Sequence, residues 1–496
     1  MLNFTIEKKI FLTAFIALSA CFFYLNKAKP LQMDELSTFI HCNDKTWKEL
    51  IESTEVGVDW MPISYFAMQW CLDQLINLSQ FSMRIPNVVF LMISLVLIFK
   101  VLQKSFGSIP AVVGIFTVFT HSLHTPFILL EARPYALYLL CGAWILFALV
   151  QNNNEDSLRK FSWNLFLANF LCPSVFYIGG IYSGTALAAF IVISLIINQN
   201  MKKVVLSSLA GWALFSLICI PTLLIQAQET RTSINSSSIN LQELFTLYGT
   251  QVYFPLLLII LMTVNFFIYP PKRTFLRHDS KSSPMNVGLI LSISTMWLLT
   301  PLMMFILGKL TGTSFMQARY YTPNLIAMAA IVSFGVWLFI KYFDINRLSL
   351  GVYFLFSILM LSINTRSLAN AYSINSVRKA LSFLEEKQGI PVITLNMHVA
   401  FHVIHYHSNK TYFVVGNEEH ASYMNKFSAK TNPLAILATK DSKFNFNKLI
   451  DEPRMIFISG TIPFDVSNFA KSIGFKIQRK LQLNSREAKF AYFLVE

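Results

Sequence analysis

The chain has 496 residues, of which 54% are hydrophobic and 13% are charged, and its mean hydropathy is +0.51. Soluble domains carry about 25% charged residues, so this composition excludes an ordinary soluble protein and predicts a polytopic α-helical membrane protein. The formal net charge of +14 is spread through the sequence. This spread favours cationic loops facing an anionic membrane leaflet over a nucleic-acid partner.

The apolar segments predict eleven transmembrane helices, each near the ~20 residues that cross a bilayer. The first span, at 10–25, follows Glu7-Lys8-Lys9 and has no small-residue cleavage site after it, so we expect an anchor with a cytoplasmic N-terminus. Lys and Arg concentrate in the loops that this arrangement places inside. The first loop, about 26–85, and the C-terminal region are then extracytoplasmic, in a protein of the inner or plasma membrane. The other spans are predicted at 86–103, 109–127, 131–150, 162–175, 177–198, 205–226, 251–269, 287–307, 323–341 and 348–364.

Two stretches of the long first loop are typical of short helices. The stretch 47–52 is amphipathic and 65–72 is more apolar, so both are expected to lie along the membrane interface. Cys42 and Cys71 also fall in this loop. They could pair if the loop faces an oxidising compartment.

The composition changes near residue 365. The stretch 376–387 has apolar residues at helical spacing, and several short β-branched and aromatic runs predict strands. We therefore predict a transmembrane module at 1–364 and a small α/β accessory domain at 365–496, without a Gly-rich phosphate fingerprint. The predicted strands are at 391–396, 412–415, 434–438, 455–459 and 490–495.

An acidic pair, Asp34-Glu35, lies just beyond the first span. Adjacent carboxylates at a membrane helix are costly unless water or a cation stabilises them. A carboxylate there can take a proton from an attacking hydroxyl, which makes Asp34 a candidate catalytic base with Glu35 as its supporting neighbour. The alternative is a pair of solvated loop acids or helix N-terminal charges.

A second acid, Asp59, precedes a proline-aromatic turn in the same loop. A carboxylate there could position substrate or a cation. The alternative is an ordinary entry into a helix with Pro62 in its first turn.

Charged and aromatic residues also gather at the outer ends of two later spans. Glu131, Arg133 and Tyr135 crowd one helix start, and ionisable residues at such places usually face the protein interior or a water-filled cavity. Arg319, followed by Tyr320, offers a fork of donors that suits a phosphate. The alternatives are a snorkelling pair at the first position and an interfacial tyrosine belt at the second.

These motifs stand in one order along the chain. Asp34-Glu35 comes first, Asp59 and its proline turn follow, and then come Arg84-Ile85-Pro86, Glu131-Ala132-Arg133-Pro134-Tyr135-Ala136-Leu137 and Arg319-Tyr320. This order resembles the GT-C glycosyltransferases of the protein O-mannosyltransferase and aminoarabinose-transferase group, over about residues 1–340. The motif that begins at Glu131 is its most specific part.

The resemblance implies an integral membrane enzyme that takes its sugar from a polyprenyl-phosphate donor on the outer face. The family's first-loop acid falls on Asp34, with Glu35 beside it, and its acid before the proline turn falls on Asp59. Trp60 and Met61 replace a basic residue and a proline of the family's turn. This departure removes a ligand or phosphate contact, and it leaves open whether a divalent metal is used.

The implied reaction is an inverting displacement. Asp34 would deprotonate or orient an acceptor hydroxyl, which attacks the anomeric carbon, and the polyprenyl phosphate leaves. Preorganised cations would stabilise the leaving phosphate. The residues expected to bind the donor phosphate or substrate are Arg84, Glu131, Arg133, Tyr135, Arg319 and Tyr320.

Two other classes of function stay open at the sequence level. A transporter or flippase for lipid-linked glycans would usually show internal repeats and interrupted helices, and no two-half symmetry is evident here. An envelope assembly factor would bind partners through its C-terminal domain. The acceptor of a transferase could be a glycan, a lipid or a protein.

Overall fold

The computed structural model shows a bundle of apolar helices followed by a small β-sheet. It describes most of residues 31–55, single positions between 15 and 26, parts of 357–495, and eight continuous ranges. The continuous ranges are 61–79, 81–121, 129–152, 161–197, 201–230, 241–245, 284–311 and 317–342.

Three short helices occupy the first loop. They are α1 (Met33–Cys42), α2 (Trp47–Glu55) and α3 (Ser64–Ile76). The helices predicted around 47–52 and 65–72 are confirmed by α2 and α3. The additional helix α1 has an acidic first turn, which complements the positive end of its dipole.

Within the described residues, five helices are long and apolar enough to cross a membrane, and two shorter apolar helices accompany them. The chain is an integral membrane protein. Three predicted spans, 10–25, 251–269 and 348–364, lie wholly or largely outside the described residues, so the number eleven stays a prediction. Each of the other eight coincides with a helix. These helices are α4 (Ile85–Phe106), α5 (Ser108–His121), α6 (Tyr135–Asn152), α7 (Trp163–Val175), α8 (Gly179–Ile196), α9 (Lys202–Thr230), α10 (Pro284–Thr311) and α11 (Asn324–Tyr342).

The bundle is held by close helix packing around one apolar core. α4 packs against α6, α5 against α11, α7 against α9, and α8 against α10. One close approach involves Gly114 of α5, where an added Cβ would lie 2.5 Å from the carbonyl oxygen of Ala329 on α11. Small residues at such crossings let helix backbones approach in a membrane, where lipid offers no hydrophobic driving force for association.

The first loop is fixed to the bundle by one buried amide. Gln226 of α9 donates from Nε2 to the carbonyl oxygens of Thr54 (2.9 Å) and Met61 (3.2 Å). Its Oε1 accepts from the hydroxyl of Tyr177 at 3.1 Å. These bonds satisfy backbone groups at the end of α2 and before α3, so the loop helices have a defined position on the bundle.

The C-terminal part contains a seven-stranded mixed sheet in the order β4-β3-β2-β1-β5-β7-β6. Strands β1, β2, β3 and β5 are joined in parallel, and β4, β6 and β7 pair antiparallel. All five predicted strands are confirmed, and β4 and β6 are additional. Of the predicted helix at 376–387, the structure describes a 3₁₀ turn, Ser382–Lys387. The strands are β1 (Val392–Thr394), β2 (Thr411–Val415), β3 (Leu434–Lys440), β4 (Lys443–Phe444), β5 (Arg454–Ser459), β6 (Lys476–Gln482) and β7 (Phe490–Val495).

Candidate active site

Asp34 and Arg319 form an ion pair at one end of the helix bundle. Asp34 lies in the first turn of α1, and its Oδ2 contacts Nη1 of Arg319, which belongs to a 3₁₀ turn just before α11. The side chains are 24% and 30% exposed, respectively. Nε of Arg319 donates to Oε1 of Gln317 at 2.7 Å. Both charges of the pair are therefore accessible to a ligand, and the guanidinium is held from its other edge.

A second guanidinium holds the backbone of Asp34. Nη1 of Arg133 donates to the carbonyl oxygen of Asp34 at 3.1 Å, and Arg133 is only 2% exposed. Its guanidinium lies 5.9 Å from the ring centre of Phe66 on α3, a cation–π distance. Together, Arg133, Arg319 and Asp34 carry two positive charges and one negative charge, which favours an anion beside Asp34.

Tyr320 completes the accessible face of this cluster. The guanidinium of Arg319 lies 5.7 Å from its ring centre, and the ring packs on Phe176 at 5.3 Å between centroids. Burial raises the pKa of the Tyr320 phenol, although Arg319 opposes the shift. The hydroxyl keeps its proton at neutral pH and can donate a hydrogen bond to an anion.

The neighbouring acid, Glu35, belongs to a different ion pair. Its Oε1 and Oε2 accept from Nε and Nη2 of Arg84 at 2.6 and 2.7 Å, and neither side chain is exposed. Oε1 also accepts from the amide of Ala132 at 2.8 Å, while Nη1 of Arg84 reaches the carbonyl oxygen of Asn26 at 3.1 Å. This bidentate pair joins α1, the start of α4 and the turn before α6.

Asn87 is a site residue that the sequence analysis does not identify. It is fully buried in the first turn of α4, and its Nδ2 donates to the carbonyl oxygens of Glu131 and Arg133. An amide just after a proline at the start of an apolar span is the signal that could have found it, because polar side chains in such segments usually bond across helices.

The remaining predicted residues are placed as follows. Glu131 is buried in the turn before α6. Tyr135 is buried in the first turn of α6, and its ring centre lies 6.2 Å from that of Phe176. Asp59 lies outside the described residues. The structure brings Asp34, Arg133, Arg319 and Tyr320 together and separates Glu35 and Arg84 from them as a buried pair. These placements leave the catalytic and binding roles as predictions.

Two cysteines of the first loop and the potential metal ligands among the described residues concern a disulfide and a divalent metal. Cys42 is buried, Cys71 is exposed, and both are free thiols. No group of three or more His, Cys, Asp or Glu side chains suited to a metal ion occurs within the described parts of the chain. A divalent metal therefore stays a prediction without assigned ligands.

Solved structures share this architecture over almost the whole chain. ArnT from Cupriavidus metallidurans bound to undecaprenyl phosphate matches with a TM-score of 0.58 at 11% identity, covering 97% of each chain. Its apo structure matches with a TM-score of 0.56, again at 11% identity and 97% of each chain. The chain has the GT-C fold. The fold that the motif order predicts is thus confirmed.

Other comparisons add little to this result. The apo structure of the Archaeoglobus fulgidus oligosaccharyltransferase matches with a TM-score of 0.44 at 12% identity, covering 86% of this chain and 69% of that one. No protein-family model and no curated protein matches the sequence.

Proposed function

We propose that this GT-C protein is a glycosyltransferase that moves a sugar from a polyprenyl-phosphate donor to an acceptor hydroxyl. The observation that carries the proposal is the position of the Asp34 carboxylate against Arg319, with Arg133 bound to the Asp34 backbone. A base beside an accessible cation, with a second, buried cation close to it, suits a displacement of phosphate by a hydroxyl. The GT-C neighbour ArnT, bound to undecaprenyl phosphate, supports the choice of donor.

In this mechanism Asp34 accepts the proton of the acceptor hydroxyl as its oxygen attacks the anomeric carbon. The bond between that carbon and the phosphate oxygen breaks, and polyprenyl phosphate leaves with the electron pair and with inversion at the carbon. Arg319 links the two events, because it contacts Asp34 directly. A donor phosphate that engages Arg319 draws the guanidinium from Asp34 and exposes the base only when the donor is bound.

Other residues around Asp34 act on the donor phosphate. Arg133 and the Tyr320 hydroxyl stabilise the leaving phosphate alongside Arg319. Glu131 and Tyr135 shape the wall of the site at the start of α6. Asp59 keeps its proposed role as a second acid that positions the acceptor or a divalent cation.

Glu35 and Arg84 receive a different role in this proposal. Both side chains are fully buried and satisfy one another with two short hydrogen bonds. We assign them to positioning α1 and the turn around Ala132, in place of the supporting catalytic role expected for Glu35 and the donor contact expected for Arg84. Asp34 then acts as the single base of the pair.

The reaction is proposed to occur on the extracytoplasmic side of the inner or plasma membrane, with the N-terminus cytoplasmic. The first loop and the C-terminal domain lie on the same side as the reaction. The acceptor is a glycan, a lipid or a protein of the envelope, and the sugar is a hexose or a pentose.

Mass spectrometry of envelope glycans tests this proposal. Cells lacking the protein, and cells carrying Asp34→Asn, should both lose the same sugar substituent, and the wild-type chain should restore it. Arg454→Lys, at an exposed position of β5, serves as the matched control and should also restore it. Unchanged glycans in cells lacking the protein would contradict the proposal and favour a transporter or an assembly factor.

A further inference from the structure

The turn between residues 131 and 133 is held by side chains that bond the backbone of three consecutive residues. Asn87 donates from Nδ2 to the carbonyl oxygens of Glu131 and Arg133, the second at 2.8 Å. Glu35 accepts from the amide of Ala132 at 2.8 Å. The amide of Arg133 donates back to the Glu131 carbonyl oxygen at 2.6 Å. Since all four bonds converge on the stretch that carries Arg133, its backbone has little freedom to move.

A directional chain of hydrogen bonds sets the orientation of the Asn87 amide. Gln69 donates from Nε2 to the hydroxyl oxygen of Tyr65 at 2.9 Å, and Tyr65 donates to Oδ1 of Asn87 at 3.1 Å. In the flipped orientation, Oδ1 of Asn87 would face the two carbonyl oxygens of the turn, and none of these three oxygens can donate a hydrogen bond. Only one orientation of the amide therefore satisfies the network. Burial raises the pKa of Tyr65, and its hydroxyl therefore remains a donor.

This network ends at the candidate base. It begins on α3 of the first loop with Gln69 and Tyr65, crosses α4 at Asn87, and reaches the turn that carries Arg133. Arg133 in turn donates to the carbonyl oxygen of Asp34. A displacement of the turn would therefore move the backbone on which Asp34 is mounted.

We propose that Asn87 is a positioning residue of the transfer reaction, which aligns Arg133 and Asp34 by holding the 131–133 turn. The proposal rests on the proposed function for its catalytic consequence and on the hydrogen bonds alone for the rigidity of the turn. Asn87 touches neither donor nor acceptor in this assignment. Small displacements of positioned groups have large effects on rate, because catalysis depends on near-attack geometry.

A second buried amide in the bundle provides the matched control. Asn169 of α7 is 1% exposed, and its Nδ2 donates to the carbonyl oxygen of Leu165 and to the hydroxyl of Ser208. It is the same residue type as Asn87 and is equally buried, but one of its bonds lies within α7, the other joins α7 to α9, and neither reaches the 131–133 turn. Replacing Asn169 therefore measures the general effect of removing a buried hydrogen-bond donor from the bundle.

The experiment compares Asn87→Asp with Asn169→Asp in the full-length protein. Each substitution keeps the side-chain shape and removes the N–H donors. Two quantities are measured: hydrogen exchange of the backbone amides in 129–137, and release of undecaprenyl phosphate from lipid-linked sugars extracted from cells that lack the protein. Measuring the release rate at several concentrations of the extract gives kcat and the apparent KM for the donor separately.

For Asn87→Asp we expect at least tenfold faster exchange in 129–137 and at least a tenfold lower kcat, with an apparent KM within threefold of wild type. For Asn169→Asp, the exchange rate, kcat and the apparent KM should each stay within twofold of wild type. Unchanged hydrogen exchange in Asn87→Asp would overturn the proposal that Asn87 holds the 131–133 turn. Faster exchange with an unchanged kcat would overturn the positioning role. A wild-type protein without transfer activity would instead contradict the proposed function. The hydrogen-exchange rates of 129–137 would still show whether Asn87 holds the turn.

Tyr65→Phe keeps the test decisive if Asn87→Asp fails to fold. It removes only the hydroxyl that orients the Asn87 amide and leaves both bonds to the turn. We expect kcat to fall threefold to tenfold and exchange in 129–137 to rise. An unchanged kcat and unchanged exchange in Tyr65→Phe would overturn the proposal.

Discussion

The carboxylate of Asp34 contacts the guanidinium of Arg319, although 285 positions separate the two residues in the chain. One belongs to a helix of the first loop and the other to a turn before α11. The fold thus pairs the candidate base with the cation best suited to a donor phosphate. In the proposed reaction, donor binding and activation of the base depend on the same contact.

Replacement of Arg319 by lysine should lower kcat/KM for the donor about 10- to 100-fold. Lysine keeps the charge but cannot bind Asp34, Gln317 and a phosphate with one planar fork, and a hydrogen bond to a charged group is worth about 1.5–3 kcal/mol. Release of polyprenyl phosphate from extracted lipid-linked sugars measures the effect. Arg454→Lys should have none, and equal activity of the two variants would exclude a phosphate contact by Arg319.

Removal of the Tyr320 hydroxyl should reduce transfer several-fold without changing its pH dependence near neutrality. Burial raises the pKa of Tyr320, so the protonated phenol persists above the ordinary tyrosine value of about 10. A group with a raised pKa loses its proton only as the pH rises through that higher value. Transfer by wild type and Tyr320→Phe, measured from pH 6 to about pH 9, should therefore give parallel profiles. A wild-type alkaline limb in this range that Tyr320→Phe abolishes would contradict the assignment.

The buried pair of Glu35 and Arg84 should show strong coupling in stability. Glu35→Gln or Arg84→Met alone leaves an uncompensated buried charge, which costs about 3–5 kcal/mol. The double variant has no buried charge at this place and should be less destabilised than the sum of the single changes. Thermal unfolding in detergent measures the three variants. Additive losses would show that the two residues do not stabilise the fold as a pair.

Two glycines predict opposite effects of the same substitution. Gly114→Ala should destabilise the bundle, because the new Cβ would lie 2.5 Å from the Ala329 carbonyl oxygen on α11. Gly288→Ala on α10 meets no atom within 4 Å and should be neutral or stabilising by up to about 1 kcal/mol, since alanine favours helix. Thermal unfolding compares the two variants. A stable Gly114→Ala protein would contradict the close approach of α5 and α11.

The sequence predicts the architecture better than the partners within the site. Span lengths and the order of motifs lead to the GT-C fold because hydropathy marks the membrane helices and the motifs lie near their ends. The separate roles of Asp34 and Glu35 could not be predicted, since consecutive helical side chains point about 100° apart and meet different neighbours. Asn87 could not be predicted because it lies inside an apolar span. Strand β6 could not be predicted because its charged residues, which are typical of an edge strand, hide the alternation of a strand.

The most direct test is transfer by purified Asp34→Asn, measured as polyprenyl phosphate released from lipid-linked sugars of cells lacking the protein. Asparagine keeps the shape of the side chain but cannot accept the acceptor's proton. We expect at least a 100-fold lower rate, in line with the contribution of general bases, with the thermal stability of the wild type largely preserved. Release at the wild-type rate by Asp34→Asn would contradict the assignment of Asp34 as the catalytic base.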